Sequence, residues 1–432
     1  MQPVLQVALD FAEMKRALQL AQEAVAGGAD WLEAGTPLIK SEGLEAVRAL
    51  RAAFPGRTLV ADMKIMDAGR AEMEMAAKAG ANIVVVLGVA ADTTIQECIE
   101  AGRNYGARVA VDLLGVSDPV TRAQQVEEWG AHFVIYHTGI DEQMSGAARA
   151  ESLARLRAVA AAVRIPVAAA GGITAETATD TIAAGAAVLI VGGAIIKSAD
   201  AAEATRRIRH AMTTGEKMAG TLFRRVGEVD IRSILESVST PNLSDGSHRL
   251  PAIVGLVPIS PGTKLVGTAL TVRTAPGDWA KPVEAIDEAR PGDVLVIAAG
   301  GCPPAVWGEL ATHSARQRGL AGVVIDGGIR DTPEIRKLHF PAFARVICSH
   351  AGEPKGWGEI GAPVRIDGIL VETGDWILGD DDGLVVLPQR RAAEMANRAM
   401  DCLEAENRIR QEIQSGQTTL GRVKELLKWE KR

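Results

Sequence analysis

Between Ala61 and Gly69 three charged residues fall in a tight pattern, Asp62-x-Lys64-x-x-Asp67. The pattern closes an apolar run, Thr58–Lys64 (TLVADMK), so it reads as a strand that ends in charge. Alternate residues of a strand share a face; Asp62 and Lys64 should therefore point together, with Asp67 following in the loop. An Asp–Lys pair buried without a use is costly, which marks the motif as catalytic. An ammonium here can stabilise an oxyanion. His137 ends another such run, His132–His137 (HFVIYH), and an imidazole with an ordinary pKa near 6.5 can move a proton at neutral pH.

The elements that must position these groups recur along residues 1–210. Eight short apolar runs, most of them closed or directly followed by a polar residue or glycine, are Val4–Asp10, Trp31–Gly35, Thr58–Lys64, Asn82–Leu87, Arg108–Leu113, His132–His137, Pro166–Ala170 and Ala187–Val191. Helical patterns such as Glu13–Ala26 and Asp92–Tyr105 separate them. Eight βα units predict a (β/α)₈ TIM barrel with its site at the C-terminal strand ends. The same alternation also fits a doubly wound open sheet. Gly171-Gly172 and Gly192-Gly193 close the seventh and eighth runs, where barrels commonly bind a phosphate through backbone N–H groups.

The pattern breaks after Ile208, and residues 211–224 read as a linker. A helix is expected over Leu222–Val238, and a second α/β domain spans 225–390, with Gly-Pro turns between short β-like runs such as Leu265–Arg273. Within Gly292–Asp331 we read a strand, a Gly-rich turn at Gly300-Gly301, a helix opening near Trp307-Gly308-Glu309 and a second strand ending at Asp326. Arg330 and Asp331 follow, a fork for a carboxylate beside a metal-ligating oxygen. Residues 391–432 form a mixed-charge helical tail broken near Gly416, read as packing or oligomerisation helices. His313 reads equally as a pocket or a solvated residue, whereas His339, His350 and Cys348 lack ligand spacing, and Asp380-Asp381-Asp382-Gly383 reads as a polar turn.

Composition bounds the rest. A chain of 432 residues that is 47% hydrophobic and 23% charged can bury a real core, and its length calls for more than one domain. A net charge of −7 offers no global footprint for nucleic acid or an anionic membrane. Four scattered cysteines make neither a disulfide framework nor a zinc knuckle. The opening residues show no export pattern, and no apolar run reaches the ~18 residues of a membrane span. A soluble, cytoplasmic protein is the expectation.

ALD, EAGTP, ADMKIMDAG, VVVLGVA, VDLLGV, YHTG, AAAGGI and IVGGAI at the eight strand ends resemble the 3-hexulose-6-phosphate synthases of the orotidine 5′-monophosphate decarboxylase superfamily. The resemblance implies catalytic roles for Asp10, Lys64, Asp67, Asp112 and His137, and an aldol condensation of D-ribulose 5-phosphate with formaldehyde. Glu33 and Asp62 are then hard oxygen ligands suited to Mg²⁺, with Mn²⁺ as a substitute and no organic cofactor. It also implies a homo-oligomer in which Asp67 reaches a neighbour's site. The related 3-keto-L-gulonate-6-phosphate decarboxylases typically carry Glu, Arg and Thr where this chain has Asp112, Ile140 and Ala170; all three resemble the synthase type, and a decarboxylase barrel is the alternative reading. In the second half G-D-V, W-G-E and D-G-x-x-R-D resemble the RraA-like family, which joins metal-dependent 2-oxo acid aldolases and regulators of ribonuclease E. Arg330 then binds substrate and Asp331 holds a metal. Two other readings of this half stay open: a scaffold, or a surface for a protein partner.

Overall fold

The computed structural model describes residues 2–139, 149–220, 223–227, 229–416 and 418–423. Eight parallel strands close the first barrel: β1 (Val4–Leu9), β2 (Trp31–Ala34), β3 (Thr58–Ile65), β4 (Ile83–Leu87), β5 (Arg108–Asp112), β6 (Phe133–His137), β7 (Val167–Ala170) and β8 (Val188–Val191). Pairing of β1 with both β2 and β8 excludes the open sheet. Strand alternation sorts the side chains into two cores. Leu5, Val7 and Leu9 meet the surrounding helices, whereas Ala8, Val60, Val85, Ala110, Ile135, Ala168 and Ile190 fill the interior. Small interior residues are balanced at the N-terminal end by Trp31 and Phe133, packed edge-on with ring centres 5.7 Å apart, and by the Arg108 guanidinium 5.0 Å from the Phe133 ring.

The last barrel helix runs over Ala201–Thr214, four residues into the stretch read as a linker. Ala211 and Met212 continue the buried stripe begun by Ala201, Thr205 and Ile208, and Gly215 then ends the helix in a left-handed conformation, φ +76°. The expected helix over Leu222–Val238 is shorter, Ile231–Ser237, because Asp230 caps it by accepting from Ser233 N at 3.0 Å. Leu222 lies outside the described residues.

The second unit holds Arg225–Leu403, and the barrel unit takes in the chain again from Glu404. Its main sheet contains β9 (Val257–Pro258), β10 (Leu265–Thr274), β11 (Asp293–Ala298), β12 (Ala305–Trp307), β13 (Gly322–Ile329), β14 (Ala342–Ile347) and β15 (Gly358–Ile360). The hairpin of β16 (Val364–Ile366) and β17 (Ile369–Val371) is separate, and β18 (Trp376–Asp380) and β19 (Gly383–Leu387) complete the sheet. Its order is β19-β18-β10-β11-β13-β14-β9, with parallel pairs at the centre and antiparallel pairs at both edges. No helix among the described residues is long and apolar enough to cross a membrane.

Candidate active site

Inward-facing positions at the strand ends gather the charge. Glu33 on β2, Asp62 and Lys64 on β3, Asp112 on β5 and His137 on β6 meet at one end of the barrel, with Asp10 just beyond β1. Lys64 Nζ donates to Asp112 Oδ2 at 2.9 Å and to Asp62 Oδ1 at 3.2 Å. The same Asp112 oxygen lies 2.9 Å from His137 Nδ1, and Leu114 N donates to the other at 3.0 Å. Asp62 also accepts from the Thr36 hydroxyl at 2.7 Å, and Glu33 accepts from the Gln6 amide at 2.5 Å.

Simple strand alternation does not carry the Asp62–Lys64 contact. Between Ala61 and Ile65 the register of β3 slips against β4, and Lys64 itself is left-handed, φ +47°. Such a conformation is uncommon outside glycine, and a bulge re-aims the side chain that it holds. Lys64 is thereby turned toward Asp112, which follows it by 48 residues.

The mouth sorts its carboxylates. Burial drives Glu33 well above the usual carboxylate range, and Asp62 and Asp10 push it further; the Gln6 amide opposes them. Asp10 reaches solvent, yet the protein around the recess desolvates it and Asp62 repels its charge, so it too is raised. Burial acts the same way on Asp112, but the hydrogen bond and charge of His137, with Lys64, outweigh it and hold this carboxylate low. Lys64 is disfavoured as a cation by burial and more strongly favoured by Asp62 and Asp112, so its affinity for the proton rises. Asp10, Glu33 and Asp62 crowd negative charge around one ammonium. A divalent cation held by the hard oxygens of Glu33 and Asp62 would relieve that crowding, so the residues fit such an ion.

In the second unit β13 continues three residues beyond Asp326 to Ile329, because Gly328 and Ile329 pair with Val346 and Ile347 of β14. The turn at Gly300-Gly301 does not open the helix directly: β12 intervenes, and the helix Glu309–Gln317 starts from Gly308. Asp331 takes that helix start. Its Oδ2 accepts from Glu309 N at 3.1 Å and lies 3.6 Å from Arg330 Nε, and a side chain at Gly308 would clash with it. The Gly300-Gly301 turn instead faces Asp326 and Arg345, which form an ion pair. His313 sits 3.6 Å from Glu309 of its own helix, exposed. Asp380 accepts from Thr240 and Asp381 from Gly262 N, so the acidic run is a polar turn that holds two neighbouring segments.

Residues 3–208 match the model of the orotidine 5′-phosphate decarboxylase / HUMPS family, and residues 240–386 match the RraA-like Aldolase/RraA model. A 3-hexulose-6-phosphate synthase of Mycobacterium gastri is 44% identical over 208 residues, which are 48% of this chain and 99% of that protein. The chain belongs to the orotidine 5′-phosphate decarboxylase / HUMPS family. A further member, a 3-hexulose-6-phosphate synthase of Methylomonas aminofaciens, is 39% identical over 47% of this chain and 96% of its own. Among solved structures, the RNA-processing inhibitor RraA of Thermus thermophilis is 30% identical over 35% of this chain and 92% of its own, with a TM-score of 0.33.

Within this HUMPS-family barrel, Asp67 stands apart from the cluster. It is exposed, accepts from Ala68 N at 2.7 Å, and borders a separate open groove of about 460 Å³ with Arg70, Glu74 and Glu97. Gly171 and Gly172 adopt φ +101° and +64° after β7. Gly192 is small for a second reason: a Cβ there would lie 3.1 Å from Asp10 Oδ2. Ala170 closes β7, and Ile140 lies outside the described residues. Sequence reasoning missed Gln6, Thr36 and Lys197. Gln6 carried a signal, a polar residue on the same strand face as Asp10; Thr36, just past a strand end, carried a weaker one. Lys197 carried one too: it lies four residues after Gly193 and so on the same face of a helix that opens there, its Nζ 3.9 Å from the position of a Gly193 Cβ.

Proposed function

We propose that the barrel is a 3-hexulose-6-phosphate synthase, joining D-ribulose 5-phosphate and formaldehyde reversibly into D-arabino-hex-3-ulose 6-phosphate. The observation that carries this reading is the Lys64–Asp112–His137 chain at the mouth of a HUMPS-family barrel. With Nδ1–H donated to Asp112, His137 keeps the Nε2 lone pair and takes the proton from C1 of the sugar. The electron pair moves into an enediolate whose C1 attacks the formaldehyde carbon, and the new alkoxide regains the proton from the imidazolium. Lys64, held charged by its two carboxylates, stabilises the oxyanion without being consumed. Glu33 and Asp62 would hold Mg²⁺ or Mn²⁺, which when bound polarises the sugar's oxygens. Backbone N–H groups at Gly171-Gly172 and Gly192-Gly193 take the phosphate, with Lys197 beside Gly193. Asp67, outside its own mouth, serves a neighbouring copy in a homo-oligomer. Asp112 and Ala170 favour the aldol reaction over the related loss of CO₂. In the RraA-like unit, Arg330 binds the carboxylate of a small 2-oxo acid and Asp331 holds a divalent metal for its aldol cleavage or decarboxylation.

The test is formaldehyde consumption by the full chain with ribulose 5-phosphate and Mg²⁺. His137→Asn should lower kcat by about 10²- to 10⁴-fold and stop exchange of the C1 proton with D₂O. Wild-type exchange in that variant would assign the proton to another group, and no consumption by the wild type would reject the synthase reading.

A further inference from the structure

We propose that Arg408, in the C-terminal tail, is a positioning residue for the sugar-phosphate site of the barrel. The proposal rests on the phosphate reading above, which places the anion at the loops after β7 and β8. Both loops are braced by chain that lies beyond the eighth βα unit.

At the β8 loop the brace is Arg408 itself. Its side chain is buried, and its guanidinium uses every edge: Nη1 donates to the carbonyls of Ser198 at 3.2 Å and Ala199 at 2.9 Å, Nη2 to Glu23 at 2.7 Å, and Nε to Glu412 at 2.6 Å. Glu412 is held in turn by Arg16 at 2.6 Å. The two carbonyls follow directly on Lys197, whose Nζ lies over Gly193. A displacement of Ser198 and Ala199 therefore moves the cation and the glycine that face the phosphate. Two carbonyls and two carboxylates converge on one planar fork, a geometry lysine cannot reproduce.

At the β7 loop the brace is the linker. Met218 N donates to Ala175 O at 3.3 Å and Arg224 pairs with Glu176 at 3.3 Å, while Lys217 pairs at 2.8 Å with Asp180 of the helix that follows the loop. Linker and tail are joined where Phe223 N donates to Glu404 Oε1 at 2.7 Å. Glu404, Arg408 and Glu412 recur every four residues on the helix Ala392–Gln414 and share one face. The relative from Mycobacterium gastri is matched over 99% of its length by 208 residues of this chain, which leaves no length in it for a counterpart of this brace.

The experiment uses the full chain and two probes, ribulose 5-phosphate in turnover and inorganic phosphate as a competing anion. Arg408→Ala should raise the KM for ribulose 5-phosphate and the Ki for inorganic phosphate together, by about tenfold. Its kcat and its KM for formaldehyde should stay within about twofold of wild type, a split that general loss of folding does not produce. Arg408→Lys, which keeps the charge but not the fork, should fall between the two, and it serves alone if the alanine variant does not fold. Unchanged KM and Ki in either folded variant, or a fall in kcat alone, would overturn the role of Arg408. If the wild type shows no turnover yet binds phosphate calorimetrically, the synthase reading fails, and phosphate affinity in the variants still decides the role of Arg408. A wild type that binds no phosphate removes the site and this role together.

Discussion

Glu33 and Asp112 are both carboxylates buried at the barrel mouth, and their surroundings drive them in opposite directions. Asp112 faces an imidazole and an ammonium and is held low, whereas Glu33 is raised by its burial and by Asp62 and Asp10. The folded chain thus binds the Glu33 proton more tightly than the unfolded chain does. The stability linked to this group is full below its ordinary range and is lost as pH rises through the raised value. Glu33→Gln removes that loss. In metal-free buffer the variant should melt about 2–4 °C above wild type at pH 8, and the difference should vanish near pH 4. A variant that melts below wild type at pH 8 but level with it at pH 4 has the opposite sign, and the crowding of charge would then be the wrong account. The same substitution should abolish formaldehyde-dependent turnover if Glu33 holds the metal as proposed. Residue types announced this chemistry in the sequence, since each acid or base sits at a strand end; the ordering of their proton affinities could not be read there, because it depends on which charges become neighbours.

At the scale of elements, strand ends do the positioning and glycines set how closely they approach. β1 and β2 run side by side, and the chain leaves β2 through Gly35, where a Cβ would lie 2.2 Å from Asp10 Oδ1 and 2.9 Å from Leu9 O. Gly35→Ala should therefore displace Asp10 and part the two strand ends. We expect a loss of about 1–3 kcal/mol in urea unfolding together with a large fall in kcat. Wild-type unfolding and turnover in that variant would show that Asp10 can swing away freely and is not held for catalysis. The eight strands were legible to within a residue or so, because apolar runs and turn residues are local properties of the chain. The slip in β3 was not legible. Nothing in TLVADMKI marks a left-handed lysine, which is held by bonds to Asp62 and, across 48 residues, to Asp112. In the second unit β13 likewise outran its expected end because pairing with β14, a strand 20 residues later in the chain at its start, extends it past Gly327.

At the scale of the whole molecule, two units carry two separate constellations, and the second is tested independently of the first. Asp331 is left-handed, φ +57°, and accepts from Glu309 N; asparagine tolerates that backbone and keeps an acceptor while removing the charge. Asp331→Asn should thus leave the fold and the barrel's activity intact and abolish metal-dependent turnover of a small 2-oxo acid such as oxaloacetate. A panel of 2-oxo acids with Mg²⁺ and Mn²⁺ that gives equal rates for wild type and variant would instead make this unit a scaffold. What the sequence by itself determined was the alternation of strands and helices, the change of texture after Ile208, and the kinds of residue at each strand end, all properties of short windows in which neighbouring residues constrain one another. The tertiary structure alone decided that β1 closes on β8, that Lys64 and His137 share one oxygen of Asp112 across 48 and 25 residues, and that Arg408 returns to a loop 210 residues earlier. Contacts at such separations are chosen by burial and charge in the packed chain, where any of several acids could have met any of several bases, and no local pattern ranks those pairings.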